Sequence, residues 1–428
     1  MTGAHKLGWR LAALVVAGNM IGSGLYLLPV SLAAVGSSSV LGWVIAGAGA
    51  LTLALVFGAL GRVMPTADGL AGIAEQGLGR FFGYQTALGF WACCLIGNVA
   101  VAVAATGYLA FFWPVLKDPV PATLCNLVLI WLATGAYIAG AGTASRLAAV
   151  ALIVGLIPIA IAVAAGASAF DPAVFQASWS ATGEPLAQAV PASLVIIFWA
   201  YLGLESAAAI SRRLKDPARD LRRATIGGVL LATVVYVAAS VAVFGVIPLA
   251  ELARSTSPYA DLAGRVFGAS LAAFVALCAI AKTLGTLQGW VLLGGETARS
   301  AAGHGFLPRG FGRGERTPVM NPLLGGAIMS IAAILSGQPT LGDQFSLLIG
   351  AVSVLALAIY GVCAAALFRR GQGRDKALAV VGFVFALAAV AAAAADYIWP
   401  TVGFIAVTTA GYLLFVRRHA VDPKASAS

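Results

Sequence analysis

About twelve stretches of this chain are apolar for long enough to cross ~30 Å of hydrocarbon at 1.5 Å per residue, and this limits the fold more than any other feature. They cover residues 9–35, 40–63, 83–113, 120–141, 145–167, 189–211, 224–248, 267–298, 320–337, 345–368, 377–395 and 400–416. Backbone inside lipid must satisfy its own hydrogen bonds, so each stretch is expected to be helical. Composition points the same way: 61% of the residues are apolar and 10% charged, against about 45–50% and about 25% in soluble proteins. So few charges cannot cover a soluble globule, and a disordered chain is excluded by the same numbers. The first stretch lacks the small-residue cleavage site and polar mature start of a secretory signal, so it is expected to remain as a span.

The net charge of +10 is explained by position along the chain. With the amino terminus placed inside, 22 of the 26 lysines and arginines fall in cytoplasmic segments, from Lys6 and Arg10 through Arg212, Arg213 and Lys215 to Arg417, Arg418 and Lys424. Lys117, Arg254 and Arg265 fall outside, and Lys282 falls within a span. Outer loops carry Asp118, Asp171, Glu184, Glu251, Asp261, Asp343 and Asp396 instead. The positive-inside rule then puts both termini in the cytoplasm of a multi-pass protein of the cell's inner (plasma) membrane. The basic excess marks topology rather than a nucleic-acid surface; the expected macromolecular surrounding is the bilayer.

Enzymatic chemistry finds little support. Cys93, Cys94, Cys125, Cys278 and Cys363 all lie in apolar stretches without metal-ligand spacing, and read as small buried apolar residues. His5, His304 and His419 lie outside the stretches, and there is no phosphate-binding loop or zinc motif. Neither catalytic residues, nor a cofactor, nor a metal is expected.

The first span contains Gly18-Asn19-Met20-Ile21-Gly22-Ser23-Gly24, a poor helix interior in which each glycine costs up to ~1 kcal/mol relative to alanine. The sixth has a matching weak point, Trp199-Ala200-Tyr201-Leu202-Gly203-Leu204-Glu205-Ser206. Spans one and six are the first members of two five-helix sets, and interrupted helices at corresponding places point to an inverted-repeat transporter with its site at the midplane. Close packing through small residues is the other reading of the glycines. A half-helix beginning after Gly24 would offer free amides and a positive dipole end to a carboxylate. Half-helices ending before Asn19 and near Leu202 would offer carbonyls to an ammonium group. A ligand with both groups is an amino acid; an amine could use part of the site. Glu205 is the one acid clearly within a span, where a carboxylate costs at least ~2.5 kcal/mol, so it is a functional candidate by default. A structural bond to unwound backbone is its other reading.

These segments, together with Leu27-Leu28-Pro29, Trp91-Ala92-Cys93-Cys94-Leu95-Ile96-Gly97-Asn98, Leu284-Gly285-Thr286-Leu287-Gln288-Gly289-Trp290 and the Lys215-Asp216-Pro217 turn, resemble the basic amino acid/polyamine antiporters. These belong to the amino acid–polyamine–organocation superfamily, and the likeness is strongest to its arginine/agmatine and lysine/cadaverine exchangers. The resemblance covers nearly the whole chain. It implies an all-α membrane protein of twelve spans, with a LeuT-like five-plus-five inverted repeat (9–167 and 189–368, then 377–416) and discontinuous helices one and six. It also implies a single transporter domain over 1–428, exchange by alternating access, and often a homodimer. Residue by residue, it implies that Ser23 and the Gly24 amide hold the substrate carboxylate, and the Met20, Trp199 and Leu202 carbonyls the amino group. Asn98 and neighbouring Cys94 would meet the distal end, Trp199 would cover a cationic group, Trp290 would pack along the stem, and Asn19 would help bind. Either tryptophan could instead face lipid or pack; Trp91 is placed in that class. The glutamate matching Glu205 senses or carries protons in similar antiporters.

Departures from the pattern carry weight too. Phe90 stands where the arginine exchangers have a gating tyrosine, Cys93 replaces a smaller alanine, and neither Ser353 nor Tyr360 can be placed in register. Lys282 lies in span eight where those exchangers have small residues, at i, i+4 and i+8 with Thr286 and Trp290 on one face. Many proton-coupled relatives carry a lysine in span five at the place where Gly155 stands here. Lys282 either supplies a similar charge from span eight or merely snorkels or packs. Charged and near the pocket, it would favour a neutral or acidic substrate. Asn98, Trp199, Glu205 and Trp290 favour an exchanger of amino acids and their decarboxylated amines, of the arginine/agmatine type. Phe90 and Lys282 favour a proton-coupled uptake permease for neutral amino acids. A substrate sensor or accessory subunit is a third reading, against which the unwound segments and Glu205 argue. Substrate and protons are the expected small partners.

Overall fold

The structure, a computed structural model, describes residues 8–140, 154–205, 217–311 and 319–416. Among these residues the regular structure is helical, with no strand. The helices that matter for the site are α1 (Trp9–Met20), α2 (Leu28–Leu32), α3 (Ser39–Val63), α4 (Gly69–Leu78), α5 (Arg80–Leu109), α6 (Pro119–Ala139), α7 (Leu156–Ala169) and α8 (Leu186–Phe198). They continue with α9 (Pro217–Phe244), α10 (Pro258–Phe267), α11 (Ala269–Gly303), α12 (Met320–Leu335), α13 (Leu341–Arg370), α14 (Arg374–Ala391) and α15 (Ala395–Gly411).

Seven segments are long and apolar enough to cross a membrane by themselves: α3, α5, α6, Arg219–Phe244, α11, α13 and Ala395–Leu414. Four shorter apolar segments lie in other runs: Trp9–Gly18, Leu156–Ala169, Leu186–Tyr201 and Met320–Leu335. Helix limits move from the sequence expectation where local chemistry overrides hydropathy. The third run, expected over 83–113, begins at Arg80 because Gly79 (φ 110°) breaks the chain after α4, and ends before a 3-10 turn that starts at Pro114. The eighth, expected over 267–298, runs on to Gly303 through residues too polar for a hydropathy count. The expectations placed on Ser206 and on the Lys215-Asp216 part of the following turn fall outside the described residues.

Two helices form the centre. In the most apolar part of α5, 78% is buried, and in α13 72%, whereas Ala395–Leu414 is only 11% buried and lies at the periphery. Residues Val99 to Ala105 of α5, alternating valine and alanine, are all buried. Small side chains let neighbouring backbones approach, which is how helices associate where lipid removes the hydrophobic drive. α5 packs against α11 and α13, α1 lies along α9, and α3 packs against α8 and α9.

Candidate functional site

Both glycine-rich interruptions are breaks in helix. In the first, α1 ends at Met20, and Ile21 (φ −70°, ψ 69°) forms an inverse γ-turn in which the Gly22 amide donates to the Met20 carbonyl at 2.6 Å. Extended backbone at Gly22 then leads into a 3-10 turn, Ser23–Tyr26, before α2 resumes. The first amides of such a turn have no carbonyl behind them to bond. The Met20 carbonyl, expected to hold the substrate's amino group, accepts the Gly22 amide on one lone pair and keeps a second. The side chains of Asn19 and Ser23 lie outside what is described.

The second break accounts for its polar backbone through neighbours. After α8, a 3-10 turn spans Trp199–Tyr201, Leu202 is extended (φ −60°, ψ 137°), and Gly203 takes φ 103°, a conformation that disfavours any side chain. The Leu202 amide bonds the Trp199 carbonyl at 3.2 Å, and the Leu204 amide bonds the Tyr201 carbonyl at 3.3 Å. The Ala200 carbonyl accepts the Tyr236 hydroxyl of α9 at 2.8 Å. The Gly203 amide donates to Glu205 Oε2 at 3.1 Å, and the Tyr360 hydroxyl of α13 donates to the same oxygen at 2.5 Å. The backbone bond foreseen as an alternative for Glu205 is therefore present, yet the same carboxylate also faces open space.

That space is a cavity of about 940 Å³. Phe90, Cys93, Cys94, Leu202, Gly203, Glu205, Trp290 and Tyr360 line its depth, while Met64, Pro65, Asp68 and Glu296 line its mouth, beside Arg62 and Arg299. Among the described lining residues are three carboxylates, Asp68, Glu205 and Glu296, and no lysine or arginine.

Of the sequence-predicted residues, the cavity brings together Phe90, Cys94, Leu202, Glu205 and Trp290. Trp199, Met20, Gly24 and Asn98 are buried next to it rather than lining it. Trp199 and Trp290 pack with ring centroids 5.3 Å apart and planes tilted at 41°, and the Trp199 indole rests on Gly24. Asn98 donates from Nδ2 to the Cys94 carbonyl at 2.9 Å, and its Oδ1 is buried with no partner among the described residues. A buried carbonyl oxygen left unpaired is costly, and a ligand N–H would satisfy it. Lys282 is buried on α11, makes no ion pair among the described residues, and does not line the cavity. The expectation that it shares a face with Trp290 does not bring it to the cavity wall.

Sequence reasoning missed three contributors. Tyr360 lies in a helix apolar on all sides, where periodicity gives no register, and only its bond to Glu205 fixes its place. Asp68 and Glu296 carry no sequence signal for the cavity, because nothing in the sequence places the end of α11 over the start of α4. The Ser300 hydroxyl donates to Asp68 at 2.9 Å and His304 Nδ1 lies 2.8 Å from Glu75, which joins those ends.

Comparison with known proteins agrees with this architecture. Residues 7–417 match the family model described as amino acid permease. A cadaverine/lysine antiporter of Escherichia coli (strain K12) is 33% identical over 367 residues, 84% of this chain and 82% of its own length. The putrescine transporter PotE of the same organism is 29% identical over 366 residues, covering 85% and 83%. PotE of Haemophilus influenzae is 26% identical over 366 residues, covering 85% and 84%. With a match over nearly its full length, the chain belongs to the amino acid permease family: it is a multi-pass membrane transporter built of helices, not an enzyme.

Proposed function

We propose that this protein exchanges a cationic amino acid for its decarboxylated amine across the inner membrane by alternating access. In this reading the chain crosses twelve times as one transporter domain, with repeats over 9–167 and 189–368, helices 377–416 appended, and both termini cytoplasmic. The cavity then opens to the cytoplasm, and the packed rings of Trp199 and Trp290 close it from outside. The observation that carries the proposal is the charge of the cavity: a space walled by the second helix break, with Glu205 at its depth, Asp68 and Glu296 at its mouth, and no basic lining residue among those described. Such a lining favours ammonium groups, and the relatives named for cadaverine, lysine and putrescine support the same class of substrate.

Within the site, the amides at Ser23 and Gly24 receive a carboxylate when there is one. Asn98 Oδ1, the Leu202 carbonyl and Glu205 receive ammonium protons, and the two indoles cover the alkyl stem. Glu205 takes up a proton when the cationic substrate leaves, so that substrate and proton alternate at one carboxylate. The arginine/agmatine pair is one candidate, lysine/cadaverine and ornithine/putrescine the others. Counterflow in proteoliposomes tests this. Labelled lysine, arginine or ornithine should enter only against an internal amine or amino acid of the same class.

A second reading, proton-coupled uptake of neutral amino acids, is favoured by Lys282, a buried amine without a carboxylate partner among the described residues. Uptake of alanine or leucine driven by a proton gradient, with no counterflow of amines, would establish it instead.

A further inference from the structure

Two glycines are occupied by the tryptophan pair. A Cβ at Gly97 would lie 2.5 Å from Cζ3 and 3.0 Å from Cε3 of Trp290, and 3.2 Å from Cη2 of Trp199. A Cβ at Gly24 would overlap the Trp199 indole nitrogen and lie 2.6 Å from its Cδ1. Neither glycine has positive φ, so backbone conformation does not call for glycine at either place. Gly97 sits inside a 30-residue helix, where glycine is among the poorest helix formers. What the position requires is room for an indole.

Trp290 also lines the cavity and is only half-buried. It is thus a wall with packing on one side and open space on the other, rather than a core residue enclosed all round. Gly97 directly precedes Asn98, whose Oδ1 is the unpaired acceptor. The contact therefore couples the closure of the ring pair to the helix turn that would hold a ligand's distal end.

We propose that Gly97 is a positioning residue of the transport cycle: the bare helix surface on which Trp290 and Trp199 come together, and so the residue that sets how completely the side opposite the open mouth is shut. The proposal rests on the alternating-access reading above. A methyl group at 97 penalises only the state in which the rings are seated, because only there do they meet it. Overpacking of one methyl against rigid rings shifts the balance between seated and withdrawn rings by roughly tenfold.

The test needs no substrate. In a Cys125→Ser, Cys278→Ala, Cys363→Ala background of the full chain, Cys93 and Cys94 remain as reporters facing the cavity. Cells expressing this protein are treated with a membrane-impermeant methanethiosulfonate in the outer medium. Gly97→Ala should raise the outside labelling rate about tenfold. In a Trp290→Leu background, which removes the ring, the same substitution should change the rate by less than about twofold. The double variant also relieves the clash, so it keeps the test valid should Gly97→Ala alone fold poorly. An unchanged rate in Gly97→Ala overturns the proposal, as does an equal rise with and without Trp290. Counterflow measured alongside separates the two ideas. Flux with unaltered labelling removes Gly97 while keeping the transport reading; altered labelling without flux does the reverse.

Discussion

The two ends of the central cavity are finished in different materials. The shut end is closed by aromatic rings laid on glycine: Trp199 over Gly24, with Trp290 and Trp199 over Gly97. Tyr26, in the 3-10 turn after Gly24, meets the rings of both Tyr108 and Tyr259 edge-on, and the Tyr108 hydroxyl donates to the Tyr26 carbonyl at 3.0 Å. On the side of Asp68 lie polar pairs: Ser300 with Asp68 at 2.9 Å and His304 with Glu75 at 2.8 Å, while Arg62, two residues before Met64 of the cavity lining, pairs with Asp375 at 3.2 Å. Apolar packing is non-directional and its loss leaves a void, whereas half-exposed ion pairs are worth only ~0–1 kcal/mol each and are readily exchanged for water. Shape thus seals one end, and contacts that are cheap to remake frame the other.

The sharpest way to break this comparison is at its meeting point. Glu205 holds the second helix break through Gly203 and faces the cavity, so charge and scaffold reside in one side chain. Glu205→Gln keeps an oxygen for the Gly203 amide and the Tyr360 hydroxyl but removes the charge. Losing the partner of a desolvated ammonium costs ~3–5 kcal/mol, so apparent affinity for a diamine should fall on the order of a hundredfold or more. Counterflow at graded substrate concentration reads it. The pH dependence of flux should flatten in the same variant, while the melting temperature with no substrate stays near that of the parent. An unchanged pH profile would remove Glu205 from proton coupling.

How far the two ends could be read from sequence follows from the same contrast. The breaks were legible because Gly22-Ser23-Gly24 and Leu202-Gly203 are poor helix in a setting where lipid forbids stray backbone, and both are broken as expected. Glu205 was legible because a lone acid at bilayer depth stands out. Tyr360 was not, since α13 is apolar all round and its register depends on a partner 155 residues away in sequence. Lys282 looked like a neighbour of Trp290 by helical spacing, but spacing gives direction without distance, and the cavity stops short of it. The rim at the open end joins α4 to the end of α11, a pairing that no local pattern encodes.

The ring side should respond less than the charge. Trp290→Ala removes the aromatic wall of the cavity and one member of the tilted ring pair. A cation–π contact is worth ~0.5–2 kcal/mol, so affinity for a cationic substrate should fall roughly two- to thirtyfold, with Trp290→Phe recovering part of it. If alanine at 290 weakens neutral and cationic substrates alike, the ring contributes packing alone. Asn98→Ala should cost less again, about two- to tenfold, because a single neutral hydrogen bond is worth ~0.5–1.5 kcal/mol and the lost Oδ1 is unpaired in the empty protein. For the same reason Asn98→Ala should not lower the melting temperature of the substrate-free protein, whereas a purely structural asparagine would.

The smallest expected effect concerns the far end, outside the spans. Asp261, in the first turn of α10, accepts the Ser255 hydroxyl at 2.5 Å and the Ser257 hydroxyl at 3.3 Å. Burial nevertheless pushes its carboxyl above the ordinary aspartate range, against the pull of those hydroxyls and of Lys117. A raised value means the folded protein binds the proton more tightly than the unfolded chain does. Asp261 therefore adds stability below the ordinary aspartate value, and that increment is lost as pH rises through its raised one. Asp261→Asn keeps a neutral acceptor for the serines and removes the titration. The variant should match the parent on the acid side and melt higher at neutral pH by the order of a degree or two, the size expected of a sub-kilocalorie change in a chain this long. A parallel offset at all pH values would mean that the carboxylate matters through its hydrogen bonds alone. The shut end would then owe nothing to pH, and proton sensitivity would belong to the open end with Glu205.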